Sequence, residues 1–303
     1  MNEHGRALGS TQLGPLAIAW GERTWVMGII NATPDSFSGD GLLAVGAGAA
    51  AAGAEAAVEA AVEVGRRMVA DGADILDVGG ESTRPGHSPV NADEERRRVV
   101  PVVAALRAAL PGTAISVDTT KAAVAEAALD AGADMINDVW GVGSDDALVR
   151  LAAARGVPLV VMHNRAAPRY DDLIPEVVAD LRAALDRAVR LGVAWDRLIV
   201  DPGFGFGKTP GQNLELVREL GALRVLGRPI LLGTSRKSTL GRVLDLPVED
   251  RLEATLATTA LGIAAGADVV RVHDVLPNVR TARLTDAIIR GTWRSGAAEG
   301  GPS

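Results

Sequence analysis

The stretch Gly72-Ala73-Asp74-Ile-Leu-Asp-Val-Gly-Gly80 contains the pattern that decides the fold. The same Gly-Ala-Asp triplet stands at 132–134 before Met-Ile-Asn-Asp-Val-Trp-Gly and at 266–268 before Val-Val-Arg-Val-His-Asp. A weaker copy at 156–158 reads Gly-Val-Pro before Leu-Val-Val-Met-His. Each copy follows an alanine-rich segment with helical periodicity. A glycine that ends a helix, followed by a short apolar run, is typical of βα repeats whose strands are buried on both faces.

Eight such apolar runs occur along the chain: Trp25–Asn31, Ile75–Gly79, Ile115–Asp118, Met135–Val139, Leu159–His163, Leu198–Asp201, Ile230–Thr234 and Val269–His273. The intervening segments predict helices near 48–70, 92–110, 120–131, 145–155, 174–191, 211–226, 249–265 and 275–290. Eight alternations over about 270 residues fit a (β/α)8 TIM barrel better than an open doubly wound sheet. We therefore predict one α/β domain of this class over 1–303, with a short N-terminal extension at 1–24 and an irregular C-terminal tail at 294–303.

Composition excludes several classes of function. The 303 residues are 48% apolar and 23% charged, which is the balance of an ordinary globular protein. An aromatic share of 3% and a net charge of -7 argue against nucleic acid as a partner. The absence of cysteine excludes disulfides, thiolate zinc sites and cysteine nucleophiles. With neither a signal peptide nor a membrane-spanning segment in the sequence, we expect a cytoplasmic protein without a membrane partner.

Polar residues end every predicted strand, and in a barrel all of those ends open on one face, where active sites lie. The simpler alternative is that polar residues only mark where buried strands stop. Asp201 stands between an apolar strand and Pro-Gly, so it is predicted to be partly buried and to need a partner. A planar N–C–N donor edge, as in a guanine-type or pterin ring, would satisfy both carboxylate oxygens. A helix cap or a salt bridge is the alternative reading of Asp201.

Cationic residues near the predicted second, seventh and eighth strands suggest an anion site. Arg84 and Arg271 are the candidate clamps, and His273 lies on the same strand face as Arg271. Ser235-Arg236-Lys237-Ser238 follows the seventh strand, where barrels of this class often bind phosphate. A solvated surface position is the alternative for Arg84 and for Arg236. Oxygen ligands for a hard cation such as Mg²⁺ are available at Asn31, Asp35, Asp40, Asp77, Asp118 and Asp138.

A set of motifs, in order, resembles those of the dihydropteroate synthases: MGIINATPDSFSGDG, GADILDVGGESTRPG, ISVDTTK, GADMINDVWG, VVMH, IVDPGFGFGK, GTSRKS and RVHDV. Together these motifs extend from about residue 25 to 275. The resemblance implies a (β/α)8 barrel, usually a homodimer, and a transferase that is a target of sulfonamides. It also implies the reaction of p-aminobenzoate with 6-hydroxymethyl-7,8-dihydropterin diphosphate, which gives 7,8-dihydropteroate and pyrophosphate in folate biosynthesis, with Mg²⁺ as cofactor.

The same resemblance implies roles for individual residues. The pterin pocket would comprise Asp118, Asn137, Met162, Asp201, Phe206 and Lys237, and the diphosphate would bind Asn31, Arg84, Arg271 and His273. Phe37, Thr83, Pro85 and Ser238 would surround p-aminobenzoate. The residues implied in catalysis are Asn31, Phe37, Asp118, Lys237 and Arg271, with Asn31 as the Mg²⁺ ligand. One departure concerns Ser38-Gly39-Asp40-Gly41, where the family often reads Ser-Asp-Gly-Gly, and it leaves the role of Asp40 open.

Two other functions remain open at this point. A pterin-dependent methyltransferase barrel would share the ring contacts, but the Ser-Thr-Arg-Pro and Ser-Arg-Lys loops favour diphosphate and an aryl carboxylate. A non-catalytic pterin-binding paralogue is the second alternative, and the displaced Asp40 is the only feature that favours it.

Overall fold

The computed structural model describes residues 8–32, 47–81, 90–141 and 146–293, with side chains of the first helix from residue 53 onward. An antiparallel hairpin, β1 (Ser10–Leu13) and β2 (Leu16–Ala19), precedes eight parallel strands. These are β3 (Trp25–Asn31), β4 (Ile75–Gly79), β5 (Ala114–Asp118), β6 (Met135–Asp138), β7 (Leu159–Met162), β8 (Leu198–Asp201), β9 (Leu231–Leu232) and β10 (Val269–Val272). The eight strands lie where the apolar runs predict them.

The eight parallel strands form a barrel. Consecutive strands pair from β3 to β8, and β10 pairs with both β3 and β9. Between β8 and β9, Val200 and Ile230 form a parallel bridge, and the Val200 N–H donates to the carbonyl oxygen of Pro229 at 2.9 Å. This closure confirms the predicted (β/α)8 TIM-barrel class.

Helices connect the strands: α1 (Ala47–Ala70), α2 (Ala92–Ala109), α3 (Ala122–Asp130), α4 (Asp146–Arg155), α5 (Leu173–Arg190), α6 (Pro210–Arg218), α7 (Ser238–Leu244), α8 (Leu252–Ala265) and α9 (Val275–Ile289). The helix predicted over 211–226 was too long: α6 ends at Arg218 and a 3-10 helix continues from Leu220 to Leu226. No prediction covered α7, since seven residues are too few for a clear period. No helix in the described part of the chain is long and apolar enough to span a bilayer.

The Gly-Ala-Asp triplets join helix ends to neighbouring strands. Gly132 adopts a φ of +112° after α3, a conformation that glycine tolerates best. Two residues later, the Asp134 carboxylate accepts a hydrogen bond from the Ile115 N–H at 2.8 Å, at the start of β5. The equivalent bonds run from Val26 to Asp74 at 2.9 Å and from Ile230 to Asp268 at 3.0 Å. The repeat thus stabilises the amino ends of the strands. The carboxyl ends form the opposite end of the barrel, which we call the mouth.

The N-terminal segment does more than extend the chain. Leu13, Ile18 and Trp20 are buried against inward-facing apolar residues at the amino end of the barrel. The inward set is Trp25, Met27, Ile75, Ala114, Met135, Val160, Ile199, Leu231 and Val269. The Thr11 hydroxyl donates to the Asp196 carbonyl oxygen at 2.6 Å and fixes the hairpin beside β8. The predicted N-terminal extension at 1–24 therefore contains a hairpin that the sequence did not reveal, because its two strands are too short to show alternation.

Ile18 tests the contribution of the hairpin to stability. Its side chain is fully buried, so Ile18→Ala should lower the free energy of unfolding by about 2–5 kcal/mol through lost burial and a residual cavity. Ala17→Ser, at the exposed neighbouring position, is the matched control. Urea denaturation measures both variants. An Ile18→Ala value within about 0.5 kcal/mol of wild type would contradict a stabilising role of the hairpin.

Candidate active site

The barrel interior changes from apolar to polar toward the carboxyl ends of the strands. Strand register puts Asp77 beside Ser116, Asp118 beside Asn137, and Met162 beside Asp201. Side chains alternate along a strand, so each of these follows an inward apolar residue of the lower layer by two or four positions. All six are buried. The sequence-predicted pterin residues on β5 to β8 therefore share one end of the barrel.

Arg271 lies at the centre of this polar layer. Its Nε donates to Asp77 Oδ2 at 2.6 Å and its Nη2 donates to Asp118 Oδ2 at 2.5 Å. Burial disfavours the charged guanidinium, but the two carboxylates outweigh burial and raise the pKa of Arg271. Asn137 completes the cluster, because its Nδ2 donates to the same Asp77 Oδ2 at 3.0 Å. One guanidinium thus faces two buried acids.

The pKa of Asp118 lies well above that of an ordinary aspartate. Burial raises the pKa of Asp118 to about 7 against the lowering effect of Arg271, and Asp77, Glu95 and Asp138 add to the increase. The increase follows from burial and from the neighbouring acids, since Asp118 shares the guanidinium of Arg271 with Asp77. Near neutral pH this carboxyl group is therefore poised between its two forms, and a positive charge that develops beside it would favour the ionised form.

Asp201 lies at the end of β8, with positive charges around it. Its Oδ1 accepts the Gly203 N–H at 2.7 Å. Burial raises the pKa of Asp201, and Lys237, the Gly203 N–H, Arg271 and Lys208 oppose the increase. Asp201 and Arg271 consequently face the same end of the barrel, close enough for their charges to interact. A carboxylate with one oxygen engaged by the backbone retains acceptor capacity for a ligand.

Lys237 connects the loop after β9 with the loop after β8. Its Nζ donates to the carbonyl oxygen of Phe204 and lies 4.6 Å from the centroid of the Phe206 ring. Burial lowers the pKa of Lys237 to about 8, and Arg271 acts in the same direction against Asp201 and Asp118. Phe206 and Lys237 thus form one corner beside Asp201.

A second group lies at the ends of β9 and β10. The His273 backbone N–H donates to Ser235 Oγ at 3.1 Å, and Ser235 Oγ lies 3.0 Å from His273 Nδ1. The Ser235 hydroxyl thus contacts both the backbone and the ring of His273. Arg236, in a left-handed conformation with φ 56°, donates Nε to Asp274 Oδ2 at 2.9 Å. Arg236 is therefore paired with Asp274, although 37% of its side chain remains exposed.

A cleft of about 220 Å³ opens beside Asp118. Its lining includes Phe206, Trp140 and Asn164, together with Glu81, Glu95, Thr119, Thr120 and Val139. Lys121 Nζ forms ion pairs with Glu81 and Glu95 at the edge of this cleft. The cleft thus has apolar and aromatic walls next to the buried acids, as in sites for flat heterocycles.

The other predicted site residues either lie at the end of a strand or the start of a helix, or fall outside the described residues. Asn31 is the half-buried last residue of β3, and Ser238 is the exposed first residue of α7. Phe37, Thr83, Arg84 and Pro85 lie outside the described residues, as do Asp35 and Asp40. The structure brings Asp118, Asn137, Met162, Asp201, Phe206, Lys237, Arg271 and His273 to one end of the barrel. Their individual roles stay predictions.

Sequence reasoning missed several residues that support the site. Asp77 was considered only as a possible cation ligand, although it is a partner of both Arg271 and Asn137. Asn213 was not considered, yet its Oδ1 accepts the Gly205 N–H at 2.7 Å and holds the glycine-rich loop. Its position one turn inside α6 gives no signal in the sequence. Lys208 ends the motif IVDPGFGFGK and was given no role.

Comparison with known proteins agrees with this geometry. Residues 27–273 match the family described as pterin binding enzyme. A dihydropteroate synthase from Clostridium beijerinckii is 48% identical over 271 residues, 89% of this chain and 96% of the relative. A crystal structure of the dihydropteroate synthase from Clostridium difficile, determined in the presence of pteroic acid, superposes with a TM-score of 0.83 at 46% identity. That superposition covers 90% of this chain and 99% of the other.

A further relative has a different description. A Mycobacterium tuberculosis protein named inactive dihydropteroate synthase 2 is 41% identical over 280 residues, 88% of this chain and 84% of its own length. Similarity at this level therefore includes proteins named as active synthases and proteins named as inactive ones. Since the family match covers most of the barrel, the chain belongs to the pterin-binding enzyme family.

Proposed function

We propose that this protein is a dihydropteroate synthase. It would join p-aminobenzoate to 6-hydroxymethyl-7,8-dihydropterin diphosphate and release pyrophosphate. The observation that carries the proposal is the arrangement of Asp201, Lys237 and Asn137 around one end of a barrel, next to the Arg271 centre. The similarity to Clostridium synthases, one of them crystallised with pteroic acid, supports the same assignment.

The pterin ring fits the chemistry of this pocket. A dihydropterin presents adjacent N–H donors on one edge, which match the free acceptor capacity of Asp201. Phe206 and Met162 offer apolar surface for the ring faces. Lys237 and Asn137 can donate to the ring oxygen and nitrogens. A buried, partly desolvated acid makes such hydrogen bonds stronger than they would be in water.

The reaction itself requires no protein nucleophile. The bond between the pterin methylene carbon and the diphosphate oxygen breaks, and the electron pair leaves with pyrophosphate. The amine nitrogen of p-aminobenzoate forms the new bond to that carbon and loses one proton to solvent. Asp118 and Asp77 share one guanidinium, so negative charge remains to stabilise a cationic methylene carbon. Arg271 and His273, with Arg84 from the sequence motif, would stabilise the leaving diphosphate.

Mg²⁺ belongs to this proposal as a cofactor. The donor set fits a cation held mainly by substrate, because Asp77 and Asp118 are already paired with Arg271. In the part of the chain that the structure describes, no three histidine or acidic side chains converge on a metal site. Asn31, at the rim of β3, would contribute one amide oxygen beside the diphosphate oxygens, a set that suits Mg²⁺. Bound there, the ion would neutralise charge on the leaving group.

We also propose a homodimer. Helices α8 and α9 pack side by side, and apolar side chains on them face solvent: Leu261 is 60% exposed, Leu284 65% and Ile288 71%. Exposed apolar side chains grouped on neighbouring helices are typical of an interface between subunits. The cytoplasmic location stays a prediction from the sequence.

An assay of pyrophosphate release tests the activity and its alternatives. With both substrates and Mg²⁺, the purified protein should release pyrophosphate, and chelation of Mg²⁺ should abolish the release. A methyltransferase would release none. A protein that binds a pterin but releases no pyrophosphate with both substrates would be the non-catalytic paralogue, and the proposed activity would be rejected.

Asp201→Asn tests the pterin pocket. An amide keeps the size of the side chain but replaces one acceptor by a donor, so a pterin should bind about 100-fold more weakly through the loss of charge-assisted hydrogen bonds. Calorimetry with 6-hydroxymethylpterin measures this affinity. Asp196→Asn, an exposed position just before β8 at the opposite end of the barrel, is the control and should bind normally. Equal affinity of both variants would remove Asp201 from the pocket.

Light scattering tests the dimer. The expected mass is twice the 31.2 kDa of one chain. Leu284→Glu combined with Ile288→Glu should shift the protein toward monomer, because two charges would become buried in the interface. A wild-type protein that stays monomeric at micromolar concentration would disprove the assembly.

A further inference from the structure

Lys208 is a charged residue behind the pterin pocket for which the proposed reaction has no role. The chain contains only three lysines, Lys121, Lys208 and Lys237, against 28 arginines. All three follow the carboxyl end of a barrel strand. Lysine differs from arginine in its compact ammonium group and its adjustable pKa. Where a chain otherwise relies on arginine, the position of each lysine is informative.

The ammonium group of Lys208 is fully engaged by three acceptors. Its Nζ lies 2.9 Å from His163 Nδ1 and donates to the carbonyl oxygens of Gly203 and Phe206, both at 3.1 Å. An ammonium has three N–H donors, so each finds one acceptor. Two of these acceptors belong to the loop that carries Phe206. The third belongs to the residue that follows β7.

His163 is a fixed acceptor in this network. The ring is fully buried, and its Nε2 lies 3.1 Å from Asp180 Oδ2 on α5. Burial lowers the pKa of His163 to about 4, and the charge of Lys208 adds to the effect. The neutral ring therefore carries its proton on Nε2, donates to Asp180, and presents Nδ1 to Lys208. Arg165 Nη2 holds Asp180 from the other side at 2.7 Å.

The loop over residues 203–207 packs closely against the loop after β7, so that a side chain at Gly203 or Gly207 would clash with it. At Gly203, φ +71°, a Cβ would lie 1.8 Å from the His163 carbonyl oxygen. At Gly207, φ +54°, a Cβ would lie 2.2 Å from the Arg165 carbonyl oxygen. The Tyr170 hydroxyl also donates to the Gly207 carbonyl oxygen, at 2.9 Å. Phe206 is therefore held in place by the contacts between its own loop and the loop after β7.

The charge of Lys208 affects the pKa of Asp201, the carboxylate proposed to bind the pterin ring. Lys208 is one of the groups that oppose the burial-induced increase in the pKa of Asp201. Burial in turn lowers the pKa of Lys208 to about 7; Lys237 and Arg165 lower it further, while Asp201 and Asp180 raise it. These four groups have the largest electrostatic effects on the ammonium, and the neutral His163 contacts it directly. Its charge and its three hydrogen bonds would therefore change together near neutral pH.

We propose that Lys208 is a positioning residue for pterin binding, which fixes Phe206 without touching the substrate: its ammonium joins the carbonyl oxygens of Gly203 and Phe206 to the buried ring of His163. The inference rests on the proposed function only for the identity of the ring. Arginine could not replace this lysine, because a planar guanidinium cannot direct one donor to each of three converging acceptors. The neutral amine above pH 7 retains two N–H donors for three acceptors, so one of the three hydrogen bonds would be lost.

Lys208→Met is the direct test, because methionine keeps the length of the side chain and removes its charge and donors. Its affinity for 6-hydroxymethylpterin should fall by about tenfold or more, the value of hydrogen bonds to a charged group. The KM for p-aminobenzoate should change little. In the wild type, pterin affinity should decrease as the pH rises from 6 to 8, and this decrease should be smaller in Lys208→Met, in which Asp118 and Lys237 still titrate in that range. A merely structural role of Lys208 would leave the pH profile unchanged.

Tyr170→Phe is the matched control. It removes an uncharged attachment of the same loop, so it should leave the pH dependence of pterin binding unchanged. Lys208→Met with wild-type affinity and a wild-type pH profile would overturn the proposal. If the wild type binds pterin but releases no pyrophosphate, the proposed function fails while the positioning role is still measured by binding.

A second measurement does not depend on the stability of the variant. Since the chain has three lysines, selective labelling of the lysine side chains gives three NMR signals. Lys208 should titrate near pH 7, below Lys237 near pH 8, whereas Glu81 and Glu95 keep Lys121 charged by raising its pKa against burial. Addition of 6-hydroxymethylpterin should shift the Lys208 signal and its midpoint. A Lys208 signal that does not respond to the saturating pterin would also overturn the proposal.

Discussion

A single buried guanidinium organises the polar half of this barrel. Arg271 connects Asp77 on β4 with Asp118 on β5 across the interior, and Asn137 joins the same cluster from β6. Without the guanidinium, two carboxylates would lie unpaired in a low-dielectric interior, at a cost of several kcal/mol. The apolar layer below can tolerate small changes in shape, but the charges above it must stay balanced. The fold therefore depends on a cluster whose Asp118 also lines the cleft.

The division between the two ends of the barrel follows from this arrangement. At the amino end, the hairpin and the Gly-Ala-Asp triplets satisfy strand ends with backbone and carboxylate contacts. At the carboxyl end, buried charges and a cleft remain available to ligands. The amino end thus contains only stabilising contacts among those described, whereas the carboxyl end, where active sites of this barrel class lie, combines a stabilising charge cluster with a cleft that is open to ligands.

Much of the architecture could be predicted from the sequence, because buried parallel strands produce continuous apolar runs and glycines end the helices between them. The residues of the site were found on the correct end for the same reason. The hydrogen-bond and ion-pair partners of these residues could not be predicted, since pairing across a barrel depends on the height at which each side chain points inward. Asp77 and Arg271 are 194 positions apart, and Lys208 and His163 are 45 apart. No periodicity joins positions so distant.

The distribution of lysines has a practical consequence. A reagent that acylates side-chain amines finds three targets in the whole chain, and each follows a strand at the mouth of the barrel. Chemical labelling would then work as a footprint of the mouth rather than of the general surface. Bound ligand would be recorded as protection, and the order in which the three amines react would report how deeply each is covered.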